Sequence, residues 1–276
     1  MASGTSTFPL SGPMRLLVRL GHGSITVAAQ DDLAEAVVRL SPADRQRADR
    51  QRDVLDRVTV EMQGSELVVS GPHQGGLGDL LGGWRRSRDR VDAVIEVPTG
   101  TPVTITSASD EIRVTGRCGD TDIATNAGRI TLDTVAGDLR LRYGHADTRV
   151  ATVTGSAQIA AAGGSAHLGA VGGDLECELG TGELGAEVVR GGVRSRAGRA
   201  SARLGAVHGD VDVAIGSGPI SIGLPAGVAA QVDVATGTGR VCSDLPVEEA
   251  PAPAARTITV RARTGAGDVR LSRAAA

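Results

Sequence analysis

An eighteen-residue repeat over residues 100–225 constrains this chain more strongly than any other feature of its sequence. Seven successive blocks keep the same register, and five of them in a row end in valine. From the second block onward the second position is always glycine, at Gly119, Gly137, Gly155, Gly173, Gly191 and Gly209. A fixed period of this kind indicates a stack of similar units, because each unit is too short to bury an apolar face alone.

Each block carries the apolar alternation of two short strands. Apolar residues fall at the fourth and sixth positions and again at the thirteenth and fifteenth, and a spacing of two directs alternate side chains of a strand to one face. A glycine-containing turn opens each strand, and we expect glycine there because it adopts positive φ values at little cost. Two short strands per 18-residue coil predict an all-β fold, a single-stranded β-solenoid or β-helix.

Outward-facing positions of adjacent blocks carry opposite charges. Glu176 and Glu178 precede Arg194 and Arg196 by eighteen residues, so stacking places each acid beside an arginine of the next strand. We predict exposed pairs worth ~0–1 kcal/mol each, which help to set the register of the stack.

Domain organisation follows from where the repeat begins and ends. We expect a flexible N-terminus over 1–13, an N-terminal β cap with entry strands over 14–97, and the β-solenoid over 98–274. Regular coils are predicted over 100–225, 229–243 and 257–274. The last of these coils is expected to cap the far end and to prevent edge-to-edge pairing.

The N-terminal cap contains three local signals. Alternating apolar residues over 14–29 predict a hairpin or an entry coil, and Gln63-Gly64 marks the centre of a second hairpin. Ser41 and Pro42 predict a helix start, with serine as the cap and proline in the first turn, followed by a short polar helix or loop.

Charge and composition exclude several partner classes. The net charge is −3, so bulk attraction to nucleic acid or to an anionic membrane is not expected. Three cysteines, an odd number, argue against a disulfide framework. No stretch reaches the ~20 apolar residues of a membrane span, and no secretory signal is visible at the N-terminus. We therefore expect a cytoplasmic protein.

The sequence predicts no catalytic residues, no cofactor site and no metal site. The five histidines lack the spacing of a triad or a metal site, and without any lysine a phosphate loop of the Gly-x-x-x-x-Gly-Lys type cannot form. Aspartate recurs at the third position of the blocks, but Ser156 and Gly192 interrupt the column. We expect these aspartates to hydrogen-bond the backbone of their own turns rather than to form a ladder of cation sites.

A set of motifs in a characteristic order resembles a known family. The motifs are a Pro-x-Gly strand entry at Pro98-Thr99-Gly100, repeated Gly-Asp-Val/Leu half-coils, Leu224-Pro225-Ala226-Gly227, and Gly265-Ala266-Gly267-Asp268-Val269-Arg270-Leu271. Over roughly residues 14–273 the chain is similar to actinobacterial members of the DUF4097 family, bacterial β-strand-repeat proteins often labelled as candidate adhesins. The resemblance implies a β-solenoid and supplies no catalytic residues.

We predict a non-catalytic, adhesin-like module that binds a protein or glycan partner or acts as a scaffold, as a monomer or a small homo-oligomer. The candidate interaction surface consists of six arginines and the single tryptophan: Arg140, Arg142, Arg194, Arg196, Arg199, Arg203 and Trp84. Two alternatives stay open. One is a carbohydrate-active β-helix enzyme, which needs a carboxylate cluster beside a groove, and the other is a self-assembling structural protein.

Overall fold

The computed structural model of the protein describes residues 4–10, 12–43, 55, 57–71, 90–108, 111–245 and 256–274. Twenty β-strands account for nearly all of the regular structure in these residues, which confirms the all-β prediction. The chain divides into two compact units, Met1–Gly137 and Asp138–Ala276.

The first unit contains ten strands. They are β1 (Gly4–Pro9), β2 (Arg15–Leu20), β3 (Ser24–Gln30), β4 (Glu35–Pro42), β5 (Thr59–Gln63), β6 (Glu66–Ser70), β7 (Val91–Pro98), β8 (Val103–Ser107), β9 (Glu111–Cys118) and β10 (Thr121–Val135). Each pass of the chain through the stack forms one layer, made of either one bent strand or two consecutive strands. β2 lies between β6 and β8, and β3 lies between β7 and β9, all in parallel pairing. The bent strand β10 then pairs with both β8 and β9.

Antiparallel strands cover the outer edge of this first stack. β5 pairs antiparallel with β6, β4 pairs in the same way with β7, and β1 pairs with β4. The β5–β6 pair is the hairpin predicted around Gln63-Gly64, and Gly64 adopts the positive φ of 63° that its turn requires. Residues 4–9, in the segment expected to be flexible, form β1.

The predicted helix start at Ser41 is wrong. Ser41 and Pro42 are the last two residues of β4 and pair with β7, because alternating apolar residues from Ala36 to Leu40 extend the strand to this point. Of the polar segment expected to follow, Arg45 to Arg57, only Leu55 and Arg57 are among the described residues.

The second unit also contains ten strands. They are β11 (Leu139–Val153), β12 (Ala157–Val171), β13 (Leu175–Val189), β14 (Val193–Val207), β15 (Val211–Ser217), β16 (Ile220–Leu224), β17 (Val228–Thr238), β18 (Val241–Ser243), β19 (Arg256–Ala266) and β20 (Val269–Arg273). From β11 to β15 and β16, each residue pairs in parallel with the residue eighteen positions later, as the repeat predicts.

Most blocks form one long strand rather than the two short strands predicted. β11, β12, β13 and β14 each run for 15 residues, and the pairing of neighbours skips a single residue at each bend, as between Tyr143 and His145. A bend of one residue keeps the hydrogen bonds on both sides of it, so the strand continues around the corner. The first and the last of the seven blocks divide, into β8 and β9 and into β15 and β16.

The order of the final layers differs from their order in the sequence. β19 lies between β15 and β17, and β20 lies between β16 and β18, all in parallel pairing. The chain therefore forms the outer layer first and then returns to insert β19 and β20 beneath it. The prediction that residues 257–274 cap the end is wrong, because β17 and β18 are the outermost layer among the described strands.

Inward-facing side chains form continuous apolar columns through the second stack. One column runs through Leu139, Leu175, Val193, Val211 and Val260, each at most 3 % exposed. Only stacking of successive layers removes this surface from water, and burying a side chain of this size contributes ~1.5–3 kcal/mol.

The glycines at the eleventh position of the blocks have the predicted positive φ, as at Gly164 (111°) and Gly182 (135°), whereas those at the second position recur for a different reason. None of the six glycines at the second position of the blocks has a positive φ. A Cβ atom added to Gly191 would lie 2.5 Å from the carbonyl oxygen of Gly173 in the layer below, and one on Gly209 would lie 2.5 Å from the same atom of Gly191. Close approach of stacked backbones, rather than turn geometry, excludes side chains at this position.

The aspartates at the third position connect neighbouring layers. Asp138 accepts a hydrogen bond from the backbone N–H of Ser156 at 2.8 Å, and Asp174 accepts one from Gly192 at 2.7 Å. Each bond spans eighteen residues, so the expectation that these aspartates bond their own turns is wrong. A carboxylate that accepts a backbone N–H of the next layer satisfies a donor that the strand ladder leaves free at the turn.

Candidate functional site

An open groove of about 1200 Å³ crosses all seven layers of the second unit. It begins at Tyr143 in β11 and ends at Thr236 in β17, and it follows the bend at positions seven to nine of each block. Six steps of the usual ~4.8 Å strand spacing give a length of about 29 Å. The groove therefore runs along the stacking direction, across the strands.

The floor of the groove is a column of glycine and alanine. Its members, in layer order, are Ala162, Gly180, Gly198, Gly216, Gly265 and Gly237, and all six are exposed. A Cβ atom on Gly180 would lie 2.3 Å from the carbonyl oxygen of Ala162, and one on Gly198 would lie 2.7 Å from that of Gly180. Because the stacked backbones approach so closely here, side chains are excluded and the groove stays open.

Apolar side chains form one side of the groove. Leu179 and Ile215 line it and are 3 % and 4 % exposed, so they offer an apolar edge rather than projecting side chains. Ala161 and Ala197 occupy the same column, with Ala197 between Leu179 and Ile215 and Ala161 on the other side of Leu179. This side therefore offers a ligand only a narrow apolar edge.

Charged side chains form the rim, and two of its three charges are paired within the chain. Arg196 donates two hydrogen bonds to the carboxylate of Asp212, at 3.1 and 2.7 Å, which raise the pKa of Arg196 and lower the pKa of Asp212. Arg263 contacts Asp233 at 2.9 Å. The rim is thus held in a fixed arrangement, with Glu178 as its other charged group.

A buried polar pair lies at the β11 end. The hydroxyls of Tyr143 and Thr148 are both buried and neither meets hydrogen-bond geometry with another group. Burial is the main cause that raises the pKa of Tyr143 to about 12. The Thr148 hydroxyl has a smaller effect in the opposite direction. Burial likewise raises the pKa of the nearby Cys177 thiol to about 12. Both groups are uncharged at neutral pH, so this end of the groove presents neither a thiolate nor a phenolate.

The structure divides the predicted arginine surface. Arg140 donates to Gln158 at 3.2 and 3.1 Å, and Arg194 lies 4.0 Å from Glu176, the pair predicted from the repeat. These two arginines stand in the same column but three layers apart, ~14 Å at the usual spacing. Among the six, Arg196 alone lines the groove.

The remaining candidates lie elsewhere. Arg142 is an exposed residue of β11, and Arg199 and Arg203 lie on the part of β14 beyond the bend. Arg203 pairs with Glu183. The expected partner of Arg196, Glu178, is its register neighbour, but Arg196 instead reaches Asp212 in the next layer. Trp84 lies outside the described residues.

The described part of the chain lacks two further kinds of functional element. No group of three or more histidine, cysteine, aspartate or glutamate residues is placed to hold a metal ion. No helical segment has the length and apolarity needed to span a bilayer.

A second period-eighteen pattern in the sequence, of small residues at the ninth position of the blocks, indicates the groove. The ninth position of the last five blocks is always glycine or alanine, at Gly144, Ala162, Gly180, Gly198 and Gly216. A period-eighteen column of small residues at an outward position indicates close backbone stacking and an uncovered strip of surface.

Comparison with known proteins places the chain among solved structures only at low similarity. No family model matches the chain, and no curated protein matches it. A candidate adhesin from Parabacteroides merdae is 10% identical, covers 98% of this chain and 95% of its own, and has a TM-score of 0.44. A candidate adhesin from Bacteroides fragilis is 13% identical, covers 98% and 97%, and has a TM-score of 0.43.

Proposed function

We propose that the stacked layers are the coils of a β-solenoid of the DUF4097 type, and that this solenoid is a non-catalytic binding module. Its groove in the second unit holds an extended segment of a protein partner. The observation that carries this proposal is the open strip of glycine and alanine that crosses six of the seven layers, where close backbone contact leaves no room for larger side chains.

The dimensions of the groove favour an extended chain as the ligand. A length of about 29 Å accommodates roughly nine residues at ~3.3 Å per residue. The floor exposes backbone and small side chains, the exposed Ala160 and Ala235 supply apolar contacts, and the rim supplies Arg196 and Glu178 for polar ones. We therefore expect the partner segment to carry small or apolar residues, with charged residues limited to positions that face the rim.

The same residues favour a protein partner over the two other ligand classes. The groove has one aromatic residue, Tyr143, which is 5 % exposed, so it offers a sugar ring no aromatic face on which to stack. Among the lining residues Glu178 alone carries a carboxylate, whereas glycoside hydrolysis uses two carboxyl groups placed across the scissile bond. Both observations weigh against a glycan-binding or glycan-cleaving groove.

A matched pair of substitutions tests the proposal. Ala160 lines the groove and Ala151 does not, and both are exposed residues of regular strands. Displayed peptide libraries would be selected on the native protein and then measured against the A160W and A151W variants. We expect enriched peptides of about nine residues, by the length argument above, that lose binding to A160W and keep it with A151W.

The outcomes separate the candidate functions. The proposal fails if no peptide is enriched, or if enriched peptides bind A160W as well as they bind the native protein. A parallel panel of immobilised glycans decides the other partner class, since glycan retention that A160W abolishes would assign the groove to a carbohydrate. Release of reducing sugar from that panel would revive the enzyme alternative.

A further inference from the structure

The end layer of the second unit, formed by β17 and β18, leaves core positions uncovered. Val232 pairs in register with Val260, and Val241 pairs in register with Val269. Val260 and Val269 are fully buried, whereas Val232 is 44 % exposed and Val241 is 49 % exposed. The two exposed valines therefore stand at the ends of the apolar columns, at inward-facing positions with no further layer above them among the described strands.

The backbone of the end layer is also open. Among the described strands, β17 pairs with β19 alone and β18 pairs with β20 alone, each along one edge. An edge strand of 11 residues presents a row of backbone donors and acceptors that readily pairs with another strand.

Within residues 228–243, which form the end layer, the usual protections of a sheet edge are not used. In the first unit, antiparallel strands β4 and β5 cover the outer layer. The end layer contains no proline or lysine, and its charges are Asp233 in β17 and Arg240 in the turn that follows. Asp233 already pairs with Arg263 at 2.9 Å. Neither a like-charge repulsion nor a break in the strand opposes docking here.

We propose that two copies of the chain associate through their end layers, with β17 antiparallel to β17 and β18 antiparallel to β18 of the second copy. The two apolar columns end on different strands of one layer, so a straight added strand would cover Val232 or Val241 but not both. A second copy presents a layer with the same two strands, the same spacing and the same near-neutral charge. A two-fold axis normal to the strands brings both valine positions into contact at once.

This arrangement uses the free surface of both copies and so closes on itself. An isologous contact of this kind produces a dimer and leaves no further end layer for growth. The two valines that carry the proposal do not line the groove, although the same strand β17 contributes Ala235, Thr236 and Gly237 to its end.

Three variants test the dimer. In V232D and V241D a carboxylate replaces an uncovered core-position side chain, and V94D is the matched control, since Val94 is an outward-facing valine of the first unit that is 38 % exposed. Sedimentation equilibrium over a wide range of concentrations should give a dimer for the native chain and for V94D. We expect the V232D and V241D variants to lose the dimer and to sediment as monomers. Circular dichroism and the midpoint of thermal unfolding at low concentration would verify that each variant is folded.

A cross-linking measurement locates the contact. Cys242 lies in β18 beside Val241 and is the one exposed cysteine of the three. A short bifunctional maleimide should therefore link two native chains, and C242S should abolish the link without abolishing the dimer. A native chain that stays monomeric at all concentrations overturns the proposal, as does a dimer that V232D and V241D leave intact. Assemblies that continue to grow beyond two chains would overturn the closed, two-fold form.

Discussion

The valine column that ends at β17 allows the effect of stacking to be measured on one chemical change. Val260 and Val232 are register neighbours with the same side chain and the same inward direction, but one is fully buried and the other is 44 % exposed. V260A and V232A each remove two methyl groups. Any difference in the free energy of unfolding between the two variants therefore reports how much the layer above contributes.

The expected magnitudes follow from burial. Two fully buried methyl groups at ~0.8 kcal/mol each correspond to about 1.6 kcal/mol of transfer free energy. The cavity left at position 260, which is closed on both sides, brings the loss for V260A to about 2–3 kcal/mol. At position 232 just over half of the side chain is buried, so V232A should cost about 0.9 kcal/mol or less, since water fills the space.

Urea unfolding followed by circular dichroism would measure both losses, at a dilution where the chain is monomeric. We expect the midpoint of V260A to fall clearly further than that of V232A, with the denaturant slope unchanged in both. Equal losses would refute the reasoning, because they would mean that position 232 is as buried in solution as position 260. At high concentration the loss for V232A should increase, since the dimer covers this side chain.

Two further predictions address the stacked backbone and the buried thiols. G191A should lower the free energy of unfolding by ~1–3 kcal/mol, because its Cβ would lie 2.5 Å from the carbonyl oxygen of Gly173. The control G21A, whose Cβ would have nothing within 4 Å, should stay within ~0.5 kcal/mol of the native protein. Urea midpoints would measure both, and equal stabilities would contradict the close-approach explanation. A thiol reagent at pH 8 should modify Cys242 in the native protein and should reach Cys118 and Cys177 only on unfolding. The reason is that burial raises the pKa of these two thiols to about 11 and about 12. Rapid reaction of more than one thiol in the native protein would contradict the burial of the columns.

Local pattern was sufficient to predict the register of the strands, but not that most blocks continue as one strand around the bend. The positions of apolar residues in a block decide which side chains point inward, and a shift by one residue would expose all of them. The eighteen-residue register between β11 and β12 or β13 and β14 is therefore contained in the repeat itself. The hairpin around Gly64 was predictable for a similar reason, since its turn and flanking alternation lie within a few residues.

The candidate groove was only partly predictable. The column of small residues at the ninth position is visible in the sequence, but its meaning depends on a distance of 2.3 Å between a hypothetical side chain and the layer below. The arginine surface shows the converse case. The sequence correctly placed Arg196 beside Glu178 in the register of the stack. The Arg196 side chain nevertheless bonds to Asp212 in the layer on its other side. A long side chain can reach either neighbouring layer, and only the packed geometry decides which. The cytoplasmic location and the absence of enzymatic activity stay predictions.

The sequence by itself determined that this protein is a stack of β layers with an eighteen-residue register, because strand period and inward apolar positions are properties of neighbouring residues. Only the tertiary structure decided the order of the layers. Parallel strands with the same alternation can pair in any order, and the choice depends on which arrangement satisfies the most strand edges at once. That choice inserts β19 and β20 beneath β17 and β18 and leaves Val232 and Val241 uncovered at the end of the stack.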